Sequence, residues 1–98
     1  MIEIAEILKV RKSQHGDFTD HAAVTVQLKG IMERRPEWHR LSDCQKEALH
    51  MIVHKIGRIM AGNPNHHDHW DDIAGYATLV SQRLPQVSAQ APAAEAEK

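Results

Sequence analysis

The sequence predicts an all-α fold, an antiparallel bundle of about four helices. Three observations predict it. Apolar residues recur at helical spacing in four segments, glycine and proline punctuate the segment ends, and no stretch alternates apolar and polar residues as a half-buried strand would. Short loops between helices imply antiparallel neighbours. The helical domain is expected over 1–84. The Ala/Pro/Glu-rich tail, 85–98, has little to bury and is expected to be disordered.

The first helix is expected from residue 3 to about 13, with Ile4, Ile7, Leu8 and Arg11 at helical spacing and Gly16 as its stop. Asp17 or Thr19 can cap a second helix, which runs to about Arg34 with Val24, Leu28 and Ile31 on one face. Pro36 disfavours helix in the residue before it, so 35–41 is expected to be a loop, with Trp38 pinning it to the core. Ser42 and Gln45 form a capping box for a third helix, 43–61, whose apolar face is Leu49, Ile52, Val53, Ile56, Ile59 and Met60. Gly62-Asn63-Pro64 ends it. Asn65 can cap a fourth helix, about 66–83, with Trp70, Ile73, Ala74, Ala77, Val80 and Leu84 expected to be buried.

Composition narrows the function classes. Twelve Lys and Arg against thirteen Asp and Glu give a net charge of −1, without the basic excess of a nucleic-acid-binding face. Cys44 is the sole cysteine, so no intrachain disulfide forms and a reducing, cytoplasmic setting is expected. No apolar run has the length of a membrane span, and the first residues lack signal-peptide character. Eight histidines is the unusual count, and five of them fall between His50 and His69.

The chemistry-bearing residues concentrate on the last two helices. Glu47, His50, His54 and Arg58 form one polar stripe, flanked by Lys55, opposite the apolar face of the third helix. Asp68 and Asp72 are one turn apart on the fourth helix, with Asp71 on the adjoining flank and Gly75 leaving a notch. Such a set suits metal-assisted phosphoryl hydrolysis. Asp68, Asp71 and Asp72 would hold Mg²⁺ or Mn²⁺, Lys55 and Arg58 would bind phosphate, and Glu47, His50 and His54 would position water or move protons. The alternatives are ordinary. Aspartates near a helix start complement its dipole, and Lys55 and Arg58 would serve a solvated face. His66-His67-Asp68-His69 invites a Zn²⁺ reading, but adjacent helical side chains diverge and no established zinc spacing is present.

The stretch from Glu47 to Ile59, the stretch from Asp68 to Ala77 and the upstream His15-Gly16-Asp17-Phe18 together resemble a family of small phage and prophage proteins of unassigned function. Its pattern is a Gly-Asp-Phe turn, a Lys-Ile-x-Arg-Ile helix and Asp-x-Trp-x-Asp-Ile-Ala-Gly-Tyr-Ala. That family is distantly similar to the MazG-like all-α nucleotide pyrophosphatases and to phage nucleotide-modification-associated domains. The resemblance implies a MazG-like helical fold, a homodimer, and Mg²⁺-dependent hydrolysis of nucleoside triphosphates to monophosphate and pyrophosphate. It places Asp68, Asp72 and Glu47 among the acids, and Lys55 and Arg58 on the nucleotide-modification pattern. Gly16 and Asp17 would lie beside the base or sugar. The second acid of the earlier helix would fall near His50 or Met51, where this chain has none. Two functions are therefore expected in competition. One is a nucleotide pyrophosphohydrolase or nucleotide-binding protein; the other is a small interaction module that binds and inhibits a host protein without catalysis.

Overall fold

The computed structural model describes residues 3–85. The elements are α1 (Ile4–His15), α2 (Phe18–Glu33), a short 3-10 helix (Pro36–Arg40), α3 (Asp43–Ala61) and α4 (His67–Ser81). Among the described residues there is no strand. The disorder expected of the tail concerns 86–98, which lie outside the described residues.

The local signals act much as their chemistry requires. Gly16 stops α1 at φ +85°, a left-handed backbone that favours glycine. The Asp17 carboxylate accepts from the Thr19 amide and starts α2. At α3 the capping box is complete: the Gln45 amide donates to Ser42 Oγ, and the Ser42 amide donates to Gln45 Oε1. The loop expected before it instead winds into the 3-10 helix, with Pro36 at its first position, where the missing N–H costs nothing. At α4 the cap residue is His66 and has no side-chain cap bond. Asn65 serves the preceding turn, its amide donating to Asn63 Oδ1.

α3 is the central helix, with α2 on one side and α4 on the other; α1 touches α2 and α3 more lightly. The pairs Glu33–His50 and Lys29–His54 descend α2 as they climb α3, so those two helices are antiparallel. The enclosed core is small. Ala48 and Val53 are its buried apolar side chains, and His21, Thr25, Lys55 and His69 are buried beside them. No described helix is long and apolar enough to cross a membrane.

The expected faces need correction. Ile31 is exposed on α2, and Leu49 and Met60 are exposed on α3. On α4, Trp70 is 53% exposed and Leu84, Ala74 and Ala77 are also open, while Ile73 and Val80 are half-buried. The reason is geometric: α4 packs along α3 and meets α1 only near its start, through His69, so only a narrow stripe is covered. Trp70 lies across the turn before α4, its indole N–H donating to Pro64 O at 2.7 Å. Trp38 is half-buried and stacks on His50, with ring centroids 5.2 Å apart.

Candidate functional site

The polar stripe of α3 faces α2. His50 Nε2 donates to Glu33 Oε2 at 2.8 Å. One turn on, Lys29 Nζ donates to His54 Nε2 at 3.0 Å, which places the proton of neutral His54 on its other nitrogen. One turn further, Gly57 lets α2 come close: a Cβ there would stand 2.5 Å from the His21 ring and 2.6 Å from Thr25 Cγ2. The interface is thus a ladder of polar rungs closed by a glycine contact. Glu47, at the exposed start of α3, lies about 16 Å of helix from Arg58 and takes no part in it.

A second junction joins the two turns at the far end of α3. The Gln14 carbonyl accepts from the Asn63 amide at 3.2 Å and from His69 Nε2 at 2.9 Å. Asn63 Nδ2 donates to Gln14 Oε1 at 3.3 Å. Gly16 and Gly62 make this approach: a Cβ on Gly16 would collide with the Ala61 backbone, and one on Gly62 would meet Gly16 N at 2.5 Å. Both glycines are backbone necessities here. The rings of His15, His66 and His69 gather beside the junction, with centroids 4.7–6.0 Å apart.

Between α1, the α1–α2 turn and the His54–Arg58 side of α3 lies a cavity of about 440 Å³. Arg11, Lys12, Arg58, His15, His21 and His54 line it, with Leu8 and Phe18 as its larger apolar groups and Asp17 as its one acid. The Asp17 carboxylate is already engaged at the start of α2. Desolvation lowers the His15 pKa from 6.5 to about 4, helped by Arg58 and other cationic neighbours. Burial also lowers His21 and His54; His54 and Arg58 add to the first, Lys29 and Arg58 to the second. At neutral pH the cavity therefore holds three uncharged imidazoles among three fixed cations. Two ring nitrogens, His15 Nδ1 and His21 Nε2, are buried without a partner. The arrangement can accept an anion.

The expected acids lie elsewhere. Asp72 Oδ2 pairs with Lys55 Nζ at 2.9 Å, and that ammonium lowers the carboxyl pKa. Lys55 is buried against α4 and does not line the cavity. Asp68 is exposed, 3.7 Å from His66 Nε2. Asp71 is exposed and, with Asp72 and Gly75, borders an open depression of about 500 Å³. A divalent cation needs several oxygen ligands at once. Among the described residues no three His, Cys, Asp or Glu side chains converge, and Asp72 is committed to an ammonium. Among the described residues of one chain the carboxylates form no closed cage for Mg²⁺, so an ion there would rest on one or two of them with water and substrate phosphate.

Of the site residues expected from sequence, His54, Arg58, Gly16 and Asp17 share one cavity; Glu47, His50, Lys55 and the three aspartates lie outside it. Sequence reasoning missed Arg11, Lys12, His15 and His21. His21 carried a signal: with Val24, Leu28 and Ile31 it continues one helical face at spacings of three and four. A histidine in an apolar stripe is a candidate for a buried polar role.

No curated protein matches this chain, and no solved structure does. A family model described as a domain of unknown function, DUF6378, matches residues 2–84. The chain, with its cationic histidine cavity between α1 and the central helix, belongs to the DUF6378 family.

Proposed function

We propose that this protein binds a nucleotide, with phosphate in the cavity between α1, α2 and α3. One observation carries the reading: Arg11, Lys12 and Arg58 stand with three neutral imidazoles around a space of about 440 Å³, and the only acid there is already hydrogen-bonded. Arginine meets phosphate through two parallel N–H donors, and lysine adds a point charge. Leu8 and Phe18 offer an apolar wall for a base, Phe18 being largely exposed. The resemblance to nucleotide-modification-associated and MazG-like proteins supports the same ligand class. The reading stops at binding rather than pyrophosphohydrolysis, because Asp68, Asp71 and Asp72 border other surfaces.

The test is a panel of nucleoside mono-, di- and triphosphates, with and without Mg²⁺ or Mn²⁺, followed by thermal shift and by pyrophosphate release. Expected are stabilisation by nucleotides, competition by inorganic phosphate, and loss of both in Arg58→Met. Absence of any shift across the panel removes the reading. Pyrophosphate release by the pure protein restores the hydrolytic function.

A specific observation also supports a protein-binding surface. α1 buries none of its side chains, and Ile4, Ile7 and Val10 are all exposed, as is the neighbouring Phe18. Apolar groups so grouped commonly meet a partner. The expected homodimer and a host protein are both candidates. Light scattering of the wild type and of Ile7→Glu separates them, since a homodimer must dissociate without any second protein present.

A further inference from the structure

His21 is the least satisfied group in the cavity. Its side chain is more than nine-tenths buried, and its Nε2 has no hydrogen-bond partner. An unpaired buried polar atom is destabilising, so one that persists asks for an explanation. The ring borders the cavity on one side and is packed elsewhere, with its Cδ2–Nε2 edge against Gly57. Gly57 and Thr25 abut it, and the rings of Phe18 and His54 stand edge-on at 6.1 Å and 5.5 Å. It therefore cannot swing out to water without disturbing the α2–α3 contact.

The ionisable groups around it are mostly cations and neutral imidazoles. α3 contributes His54, Lys55 and Arg58, and α2 contributes Lys29. α1 contributes Arg11, Lys12 and His15 to the same cavity, with Asp17 at the turn. From α4, His69 packs on His15, and Asp72 is occupied by Lys55. While the cavity is empty of anions, this surrounding opposes a further proton on the ring. An entering dianion reverses the local potential and offers an acceptor oxygen, and both effects favour an imidazolium that donates.

We propose that His21 is the deep phosphate ligand of the cavity and binds a proton as a terminal phosphate enters, so that phosphomonoester binding and protonation are coupled. The proposal rests on the nucleotide reading above and adds to it the ligand class and a pH dependence. A terminal phosphate has three free oxygens. Two satisfy the fork of Arg58 and the third remains for His21, whereas a phosphodiester has only two. The proton comes from solvent: neutral imidazole, one proton and a phosphate dianion give an imidazolium–phosphate pair.

The test is calorimetric titration of the full chain with adenosine 5′-monophosphate, in buffers of different ionisation enthalpy, at pH 6.0, 7.0 and 8.0. Adenosine and a dinucleoside phosphodiester serve as controls. Expected are uptake of about half to one proton per ligand at pH 7.0, affinity that weakens as pH rises, and little binding of the controls. His21→Asn should abolish the uptake and weaken binding about tenfold or more. Binding without proton uptake, or uptake unchanged in His21→Asn, overturns the proposal and leaves the nucleotide reading standing. No binding of any phosphate ligand removes both. If His21→Asn does not fold, ¹⁵N-histidine titration of the wild type decides. The His21 pKa must then rise when adenosine 5′-monophosphate is added, and an unmoved His21 overturns the proposal.

Discussion

The two sides of α3 are built on opposite principles. Toward α2 it presents charge and imidazole: His50 to Glu33, His54 to Lys29, then Gly57 against His21. Toward α4 it presents Ala48 and Ile52 beside Ala77 and Val80, with the ion pair Lys55–Asp72. The apolar side gains stability from burial and needs only volume to match. The polar side gains little net energy per hydrogen bond but fixes register, because each partner is satisfied at one spacing only. The cavity with candidate ligand groups lies beside the polar side. That division teaches where change is tolerated: smoothly altered volume on one side, almost no altered geometry on the other.

Substitutions can break this contrast. The largest effect is expected at Gly57. Gly57→Leu drives a branched side chain into His21 and Thr25, and it should cost at least about 3 kcal/mol and prevent cooperative folding in denaturant melts. Ile52→Ala, on the side toward α4, should cost about 2 kcal/mol, at the low end for core truncation because Ile52 is only half-buried. If Gly57→Leu proves milder than Ile52→Ala, the contrast fails.

The ion pair comes next. Asp72→Asn leaves the buried Lys55 ammonium without its counter-charge, and about 1 kcal/mol is expected because the carboxylate is half exposed. The sign with pH follows from the lowered Asp72 pKa. Its stabilisation is present above the ordinary carboxylate range and is lost as pH falls through the depressed value. Glu33→Gln should be the mildest change, within about 0.5 kcal/mol, since both partners keep contact with solvent.

Acid sharpens the comparison without mutation. His15, His21 and His54 are held neutral, so the unfolded chain binds more protons than the native one once pH drops below about 6.5. Stability is full above that value and falls as pH moves toward about 4, the value for His15. The melting temperature should therefore decline between pH 7 and pH 5, before most carboxylates titrate. Nucleotide should flatten the slope if the imidazoles meet phosphate. A slope unaltered in His21→Asn would show that this ring does not carry it.

Much of the fold was legible because its signals are local. The Ser42–Gln45 box, the Gly16 stop and the Asp17 cap act within four residues of themselves, and all three appear as their chemistry requires. The site was legible in part. A helical wheel places His50, His54 and Arg58 on one stripe and Lys55 on another, but it does not say which neighbour each stripe meets. Grouping both with the α4 aspartates in one site was therefore an error of tertiary placement: Lys55 turns to Asp72, and the histidines turn to α2. Arg11 was legible only as a position in the α1 repeat and Lys12 not at all, because nothing nearby in sequence announces a contact with a helix more than forty residues on. Trp70 misled through size, since a large aromatic is usually a core residue and here covers a turn.

The Gln14 carbonyl, shared between Asn63 and His69, has a consequence for how this chain tolerates lengthening. Connections between helices are usually where evolution and engineering add residues freely. Here two of the three connections abut through Gly16 and Gly62, so the length of each constrains the other. An added residue in either would pull both apart, and tolerated variation there should come as matched changes. The stretch around Arg34 to Leu41 has no glycine contact of this kind, and there Trp38, stacked on His50, is what ties the connection to α3.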